Sequence, residues 1–308
     1  MPLRMISRDC VVCGSGRKQV VYAAALPEEP YTPGFIHAAH DEPGTARWWR
    51  YRVVCCRECG HYYADPVLDP DAVGASYLAQ DHDNHFGVDE NILLRTHRGY
   101  ADLVRPRLPT RRDLQVDIGC DTGCFLKASR DFGFTRVVGV EPGKLAAECA
   151  TMIPNVTIMN KLFDPSDFNH SSIQLLSMIH VLDHLPEPVS FMRSIVPLMD
   201  HDGVVLAVVH NVKSVLARLS GKRWAPISVM HFDYYSSDTL MRVFAGAGFK
   251  STTVIRTKNY FPLFHLVRFA PGLSLSLRRV LYRVTSGPVF RRVVVKLPLG
   301  NIAIIARV

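Results

Sequence analysis

No apolar run in this 308-residue chain approaches the roughly 18 to 20 residues needed to cross a bilayer. The opening Met1-Pro2-Leu3-Arg4 also lacks the apolar core of a secretory leader, so a cytoplasmic protein is expected. No internal repeat is visible, which argues against a solenoid. Acidic residues are missing from one end. Between Phe261 and Val308 the charged side chains are Arg268, Arg278, Arg279, Arg283, Arg291, Arg292, Lys296 and Arg307, all basic. The rest of the chain is neutral, so the formal charge of +8 belongs to this segment. A charge confined to one end predicts a local anionic partner: an acidic membrane surface met by residues 261–296, a phosphorylated substrate, or RNA. The plain alternative is a solvated basic helical hairpin. With 48% hydrophobic and 21% charged residues, the chain is long enough for one large core and a small satellite domain.

Four of the eight cysteines form a pattern. Cys10-Val-Val-Cys13-Gly14 is repeated as Cys56-Arg-Glu-Cys59-Gly60. A two-residue spacer lets both thiolates of a pair face one ion, and the glycine relieves the crowded turn behind them. Two such knuckles predict a closed tetrahedral zinc site that contributes folding energy and leaves no position for substrate. Cys55 competes with Cys56 but breaks the spacing. Cys120, Cys124 and Cys149 are expected to be small buried residues.

Residues 1–65 are expected to form this zinc module and 66–110 a linker and lid helix, the helix over Asn91–Val104. Asp81-His-Asp-Asn-His85 is rich in metal-ligand types but has no ordered spacing and reads as a solvated loop. From residue 111 onward, short apolar strands alternate with helices. Strands are predicted at Leu114–Ile118, Arg136–Val140, Val156–Met159, Ile173–Ile179, Val204–Val209, Thr252–Ile255 and Ile302–Ala306. That rhythm predicts an α/β fold, a doubly wound, Rossmann-like sheet of seven strands, with a basic helical excursion at about 261–296.

The central motif is Asp117-Ile-Gly119-Cys120-Asp121-Thr-Gly123, a glycine turn leaving the first strand of that sheet. Glu141 ends the next strand, where a carboxylate accepts hydrogen bonds from ribose hydroxyls. The G-x-G-x-x-G spacing of dinucleotide sites is missing, and acids at 117 and 121 would repel a pyrophosphate. They suit a cation, and S-adenosylmethionine carries a sulfonium and an ammonium.

Asp117–Leu126 resembles the first motif of class I S-adenosylmethionine-dependent methyltransferases, and Val138-Val-Gly-Val-Glu141-Pro142 resembles their second. Met178-Ile-His180-Val-Leu-Asp183-His184-Leu-Pro-Glu-Pro188 is similar to their fourth-strand segment, and Asp200-His-Asp-Gly203 to the turn into the fifth strand. His231-Phe-Asp-Tyr234-Tyr-Ser236, Ala247-Gly-Phe249 and Leu299-Gly-Asn301 resemble pieces of a bacterial branch that also begins with paired C-x-x-C-G knuckles. Asp121 stands where glycine is common, Asp183 where glutamate is common, and His201-Asp202 near the usual Pro-Gly.

The resemblance implies donor contacts from Asp117, Gly119, Cys120, Asp121, Gly123, Glu141, Pro142 and His180, with Phe163, beside Leu162, bordering the adenine. It implies structural Zn2+ on Cys10, Cys13, Cys56 and Cys59. His184, His231, His180 and Asp183 compete as the acceptor's base, since imidazole suits proton removal near neutral pH. The expected acceptor is a sugar or saccharide, nucleotide- or lipid-linked forms included, methylated on oxygen. Two alternatives stand beside it. One is an RNA methyltransferase reading RNA through Arg47, Trp48, Trp49, Arg50 and Arg52. The other is a non-catalytic donor-binding or assembly subunit.

Overall fold

The computed structural model describes residues 4–27, 49–78, 89–270 and 273–308. Asp81–His85, Arg47 and Trp48 lie outside the described residues. In chain order the strands are β1 (Met5–Ile6), β2 (Lys18–Tyr22), β3 (Val53–Cys56), β4 (Tyr62–Ala64), β5 (Val67–Leu68), β6 (Leu114–Ile118), β7 (Arg136–Val140) and β8 (Thr157–Met159). They continue with β9 (Ile173–Ile179), β10 (Met199–His210), β11 (Asp233–Tyr234), β12 (Ser251–Arg256), β13 (Asn259–Pro262), β14 (Val294–Leu297) and β15 (Asn301–Arg307).

The seven-stranded sheet has the order β12-β15-β10-β9-β6-β7-β8. Strands β6 to β10 pair in parallel, and β15 runs antiparallel to both β10 and β12. Every residue of β6 is buried, as are the first six of β9. Both alternating sets of β6 side chains are covered, the apolar Leu114, Val116 and Ile118 and the polar Gln115 and Asp117, which hydrogen-bond to Ser129 and Ser177. Burial of both sets marks a strand packed on two faces. On one face the Glu90–Val104 and Cys124–Ser129 helices bring Tyr100, Val104 and Phe125 against Leu175, Leu206 and Val208. On the other, the Pro188–Ile195 and Ser237–Ala247 helices set Met192, Ile195, Leu240 and Phe244 against Val116, Val205 and Ala207. Ser236 and Thr239 form a capping box at the start of the Ser237–Ala247 helix, and Gly248 ends it with φ 108°.

The strand order reverses between β6 and β9, which opens a crevice at their carboxyl ends. Gly119 and His180 follow those two ends directly.

A second sheet, β11-β4-β3-β2, carries the cysteine knuckles. Its edge strand β11 comes from residues 233–234, far along the chain, so the N-terminal segment is stitched onto the loop after β10. The basic segment contains the Leu263–Phe269 and Leu275–Thr285 helices, framed by the β13–β14 ribbon. Cys120 and Cys124 are buried as expected. Cys149 is exposed, because it falls on the solvent side of the Lys144–Thr151 helix whose Ala146, Ala147 and Ala150 turn inward.

Candidate active site

The cysteine cluster is the simplest constellation. Cys10, Cys13, Cys56 and Cys59 bring their sulfurs within 4.8 Å of one another. Sγ of Cys10 lies 3.5 Å from that of Cys59, and the Cys13–Cys56 pair has the same separation. Sulfurs bound to one zinc at about 2.3 Å in a tetrahedron stand just under 4 Å apart, so the spacing suits that ion. Gly14 and Gly60 both take φ 72°, a left-handed turn that a side chain would strain. Backbone amides of Val12 and Cys13 point at the Cys10 sulfur, and those of Glu58 and Cys59 at Cys56. Burial disfavours the Cys56 thiolate, but these amides and the neighbouring thiols outweigh it and bring the pKa down to about 7. Cys55 is buried beside the cluster and is not one of its members.

The glycine turn after β6 forms the second constellation. Gly119 takes φ 64° and Gly123 φ 79°. A Cβ on Gly119 would lie 2.5 Å from Cγ2 of Val181, so this turn rests directly against the segment following β9. Asp121 takes φ 48°, the conformation for which glycine is usual. Aspartate is among the few side chains that tolerate it, which accounts for its presence here. The Asp121 amide donates to Oε2 of Glu141 at 2.9 Å, and the Gly143 amide to Oε1 at 2.7 Å. Ser177 donates to Oδ1 of buried Asp117 at 2.6 Å. Burial raises the Glu141 carboxyl to about 7, with repulsion from Asp121 adding to it and the two amides opposing. Burial likewise lifts Asp117 to about 7 against the Ser177 hydrogen bond, helped by Glu141 and Asp121. The turn is therefore a buried, mutually repelling acidic cluster, which a cationic ligand would relieve. Cys120 is buried within it, and Pro142 follows Glu141. Phe163 stacks on Phe168 and leans on Phe191, both at 5.6 Å between centroids, while Leu162 is exposed.

The third constellation lies beyond β9 and β10. All four base candidates, His180, Asp183, His184 and His231, converge here. His210, the last residue of β10, joins them. Its Nδ1–H donates to Oδ2 of Asp183 at 2.7 Å, and Nε2 of His231 lies 3.7 Å from the same oxygen. The His184 and His231 rings are 4.2 Å apart, and those of His180 and His210 4.4 Å. Tyr77 meets Nδ1 of His184 at 2.8 Å, Ser228 meets Nδ1 of His231 at 3.1 Å, and Asn301 meets Nε2 of His180 at 3.1 Å. His180 holds φ 57°, a strained conformation for a residue with a ring. Burial pushes the Asp183 carboxyl up, but His210 and the other imidazoles outweigh it and hold it well below the usual carboxylate range. Burial drives His180 down to about 3, with His210 adding to the effect. His231 is also held well below its ordinary value by burial and by His184. These two rings are thus neutral near pH 7.

Sequence reasoning missed His210, Tyr77 and Asn301. His210 was legible in principle, because it ends a buried strand on the same side of the sheet as His180. Asn301 belongs to the Leu299-Gly-Asn301 motif but is not read from it as a site residue, and Tyr77 carries no local signal. The basic-aromatic stretch considered for RNA has structural partners here. Arg52 pairs with buried Asp65 at 3.0 Å, Arg50 donates to the Ala23 carbonyl, and Trp49 packs against the apolar cluster that holds Tyr51 and Val67.

Comparison with known proteins gives the fold its family. A methyltransferase-domain family model matches residues 94–254, from the helix before β6 into β12. None of the curated protein sequences matches the chain. Among solved structures, the methyltransferase bound to the Trm112 activator from Haloferax volcanii is 15% identical. It aligns over 71% of this chain and 92% of its own, with a TM-score of 0.51. A SAM-dependent methyltransferase from Thermotoga maritima is 16% identical over 71% of this chain and 90% of its own, TM-score 0.47. One from Archaeoglobus fulgidus is 18% identical over 68% and 94%, TM-score 0.45. The family match covers more than half of the sequence, and the chain belongs to the methyltransferase-domain family.

Proposed function

We propose that the chain transfers a methyl group from S-adenosylmethionine to a hydroxyl of a sugar-containing small molecule. The observation that carries the reading is the contact of Gly119 with Val181, which sets an acidic, cation-suited turn against the imidazole cluster beyond β9 and β10. The donor supplies an activated methyl on a sulfonium. Asp117 and Asp121 are placed to balance its positive charges, and Glu141 to accept from the ribose hydroxyls. Ser228 holds His231 through Nδ1, and in the tautomer where its hydroxyl accepts from Nδ1–H, Nε2 takes the proton of the acceptor hydroxyl. Asp183, oriented by His210, stabilises the imidazolium that forms.

A phosphate-bearing sugar, nucleotide- or lipid-linked, is favoured by the basic C-terminal segment. The Leu275–Thr285 helix exposes Leu277, Val280 and Val284 at helical spacing beside Arg279 and Arg283. Apolar residues flanked by arginines suit the acidic inner face of a membrane. Among the described residues no helix is long and apolar enough to cross one. The cysteine cluster is assigned structural Zn2+, which would brace the module on which the His231 loop rests.

Calorimetric titration of zinc-replete protein with S-adenosylmethionine and with NAD tests the donor. Micromolar heat with the first alone, lost in Glu141→Ala, is expected. An acceptor screen among phosphorylated sugars and RNA follows. Heat with NAD alone, or with neither, overturns the reading, and the second result favours an assembly subunit.

A further inference from the structure

We propose a second metal site, at the carboxyl ends of β9 and β10, where His180, Asp183 and His210 hold one divalent first-row transition ion. The proposal accepts the placement of the acceptor above and adds a ligand to it. The three side chains present one ligand atom each within 4.8 Å of one another. Ligands bound to one such ion at about 2.0–2.2 Å stand about 3 Å apart, so small side-chain adjustments close the set.

Two buried atoms show that the cluster is incomplete as a purely hydrogen-bonded network. Oδ1 of Asp183 and Nδ1 of His180 have no hydrogen-bond partner, and Asp183 is 2% exposed. A carboxylate oxygen left unpaired in the interior is costly, and an ion satisfies it. Asn301 reaches the far nitrogen of His180 through its side-chain amide nitrogen, so binding of an ion at Nδ1 requires that amide to turn and present its oxygen to Nε2–H. Asn301 is itself anchored, pairing with His210 in the β10–β15 register and lying 3.4 Å from the Tyr100 hydroxyl.

The backbone conformation fits this reading. His180 sits at φ 57°, strain that persists where a side chain must be aimed. Two imidazoles and one carboxylate form a borderline donor set, distinct from the four thiolates of the cysteine cluster, and it suits zinc, cobalt, nickel or iron(II). With three protein ligands, positions remain for oxygen atoms of an acceptor. His231, 3.7 Å from Asp183, stays at the edge of the set, either as a fourth ligand or as the base beside a metal-bound hydroxyl. An ion here would select acceptors that present two neighbouring oxygens, such as a vicinal diol.

The second triad that shares Asp183, with His184 and His231, is the weaker choice. His184 already has Tyr77 and the Met230 backbone as partners, and Ser228 holds His231.

The test is a Co2+ titration of protein whose cysteine cluster already carries zinc, read by visible absorption and by metal content. Wild type is expected to take up one further ion with the ligand-field bands of a nitrogen and oxygen site and without thiolate charge-transfer bands. Asp183→Asn and His210→Gln should each lose that ion while retaining the cysteine-bound zinc, which reports that they are folded. Cys56→Ser should show the opposite pattern. Uptake confined to thiolates, or unchanged uptake in both cluster variants, overturns the proposal. Donor titration of the same samples separates the two readings. Donor binding without a second ion removes the metal and keeps the methyltransferase, and a second ion without donor binding does the reverse.

Discussion

Arg8 reaches the buried carboxylate of Asp233 at 3.0 Å, and so fastens the cysteine module to the loop that carries His231. The other oxygen of Asp233 lies 2.9 Å from Nε2 of fully buried His61. Arg8 also donates to the Pro186 carbonyl, and the Phe232 amide donates to the carbonyl of Asp183. The knuckles thus brace both walls of the imidazole cluster.

This brace predicts a separation of effects. Asp233→Ala strands Arg8 in the interior and should cost about 3–5 kcal/mol of stability in urea unfolding. The milder Asp233→Asn, or loss of the cysteine-bound zinc in Cys56→Ser, should lower kcat on the order of 10²-fold by misplacing His231. Donor affinity should stay within a few-fold, because β6 and its turn lie outside the brace. Equal loss of donor binding and turnover would show that the module supports the whole fold.

Glu141 predicts a pH dependence with a defined sign. Its carboxyl rises from 4.5 to about 7 on folding, so the folded donor-free protein holds a proton that the unfolded chain releases. Stability should therefore fall as pH rises from about 4.5 to 7 and then level, and Glu141→Gln should reduce that slope in thermal melts, Asp117 supplying the remainder. Donor binding uses the carboxylate. Affinity should tighten about tenfold per pH unit below the pKa and plateau above it, with proton release measurable in buffers of different ionisation heat.

Asp121→Gly tests the unusual residue in the donor turn. Glycine takes φ 48° without strain and keeps the amide that holds Glu141. Removing the Asp121 charge should lower the Glu141 pKa and move the affinity plateau toward acid. The wild-type protein should bind donor without this change. Donor binding only after Asp121→Gly would mark the natural turn as inactive.

Gly123→Ala should be destabilising by about 1–3 kcal/mol. Its φ is 79°, and the added carbon would lie 2.2 Å from Cδ1 of Ile153. Ile153→Ala in the same chain should relieve the clash but not the backbone strain, so only partial recovery is expected in denaturant melts.

The basic segment predicts pelleting with vesicles of anionic lipid and none with zwitterionic lipid. Val280→Asp and a form lacking residues 261–296 should both lose it, and added salt should weaken it. Equal pelleting of these forms and the wild type would remove the membrane from the account.

The sequence by itself determined the sheet. Short apolar-rich segments such as Leu114–Ile118 and Ile173–Ile179, alternating along the chain with helical ones, mark the strands, and the glycines at 119 and 123 mark a turn that side chains would strain. That Gln115 and Asp117 are buried as well is decided by the packing. The C-x-x-C spacing likewise determined the cysteine cluster, because ligand geometry within a knuckle is local. Tertiary structure decided what lies between these pieces. The pairing of β4 with β11 joins residues some 170 apart, and neither strand is long enough to announce it. The imidazole cluster gathers Tyr77, His210, His231 and Asn301 from four separate segments onto Asp183 and its neighbours. The strand order of the sheet brings His210 and Asn301 there, and the packing of the Pro70–Leu78 helix and the loop before β11 brings the other two. Periodicity and spacing report what a residue does within its own element. Which side chains meet across elements depends on register and packing, and a single sequence states neither.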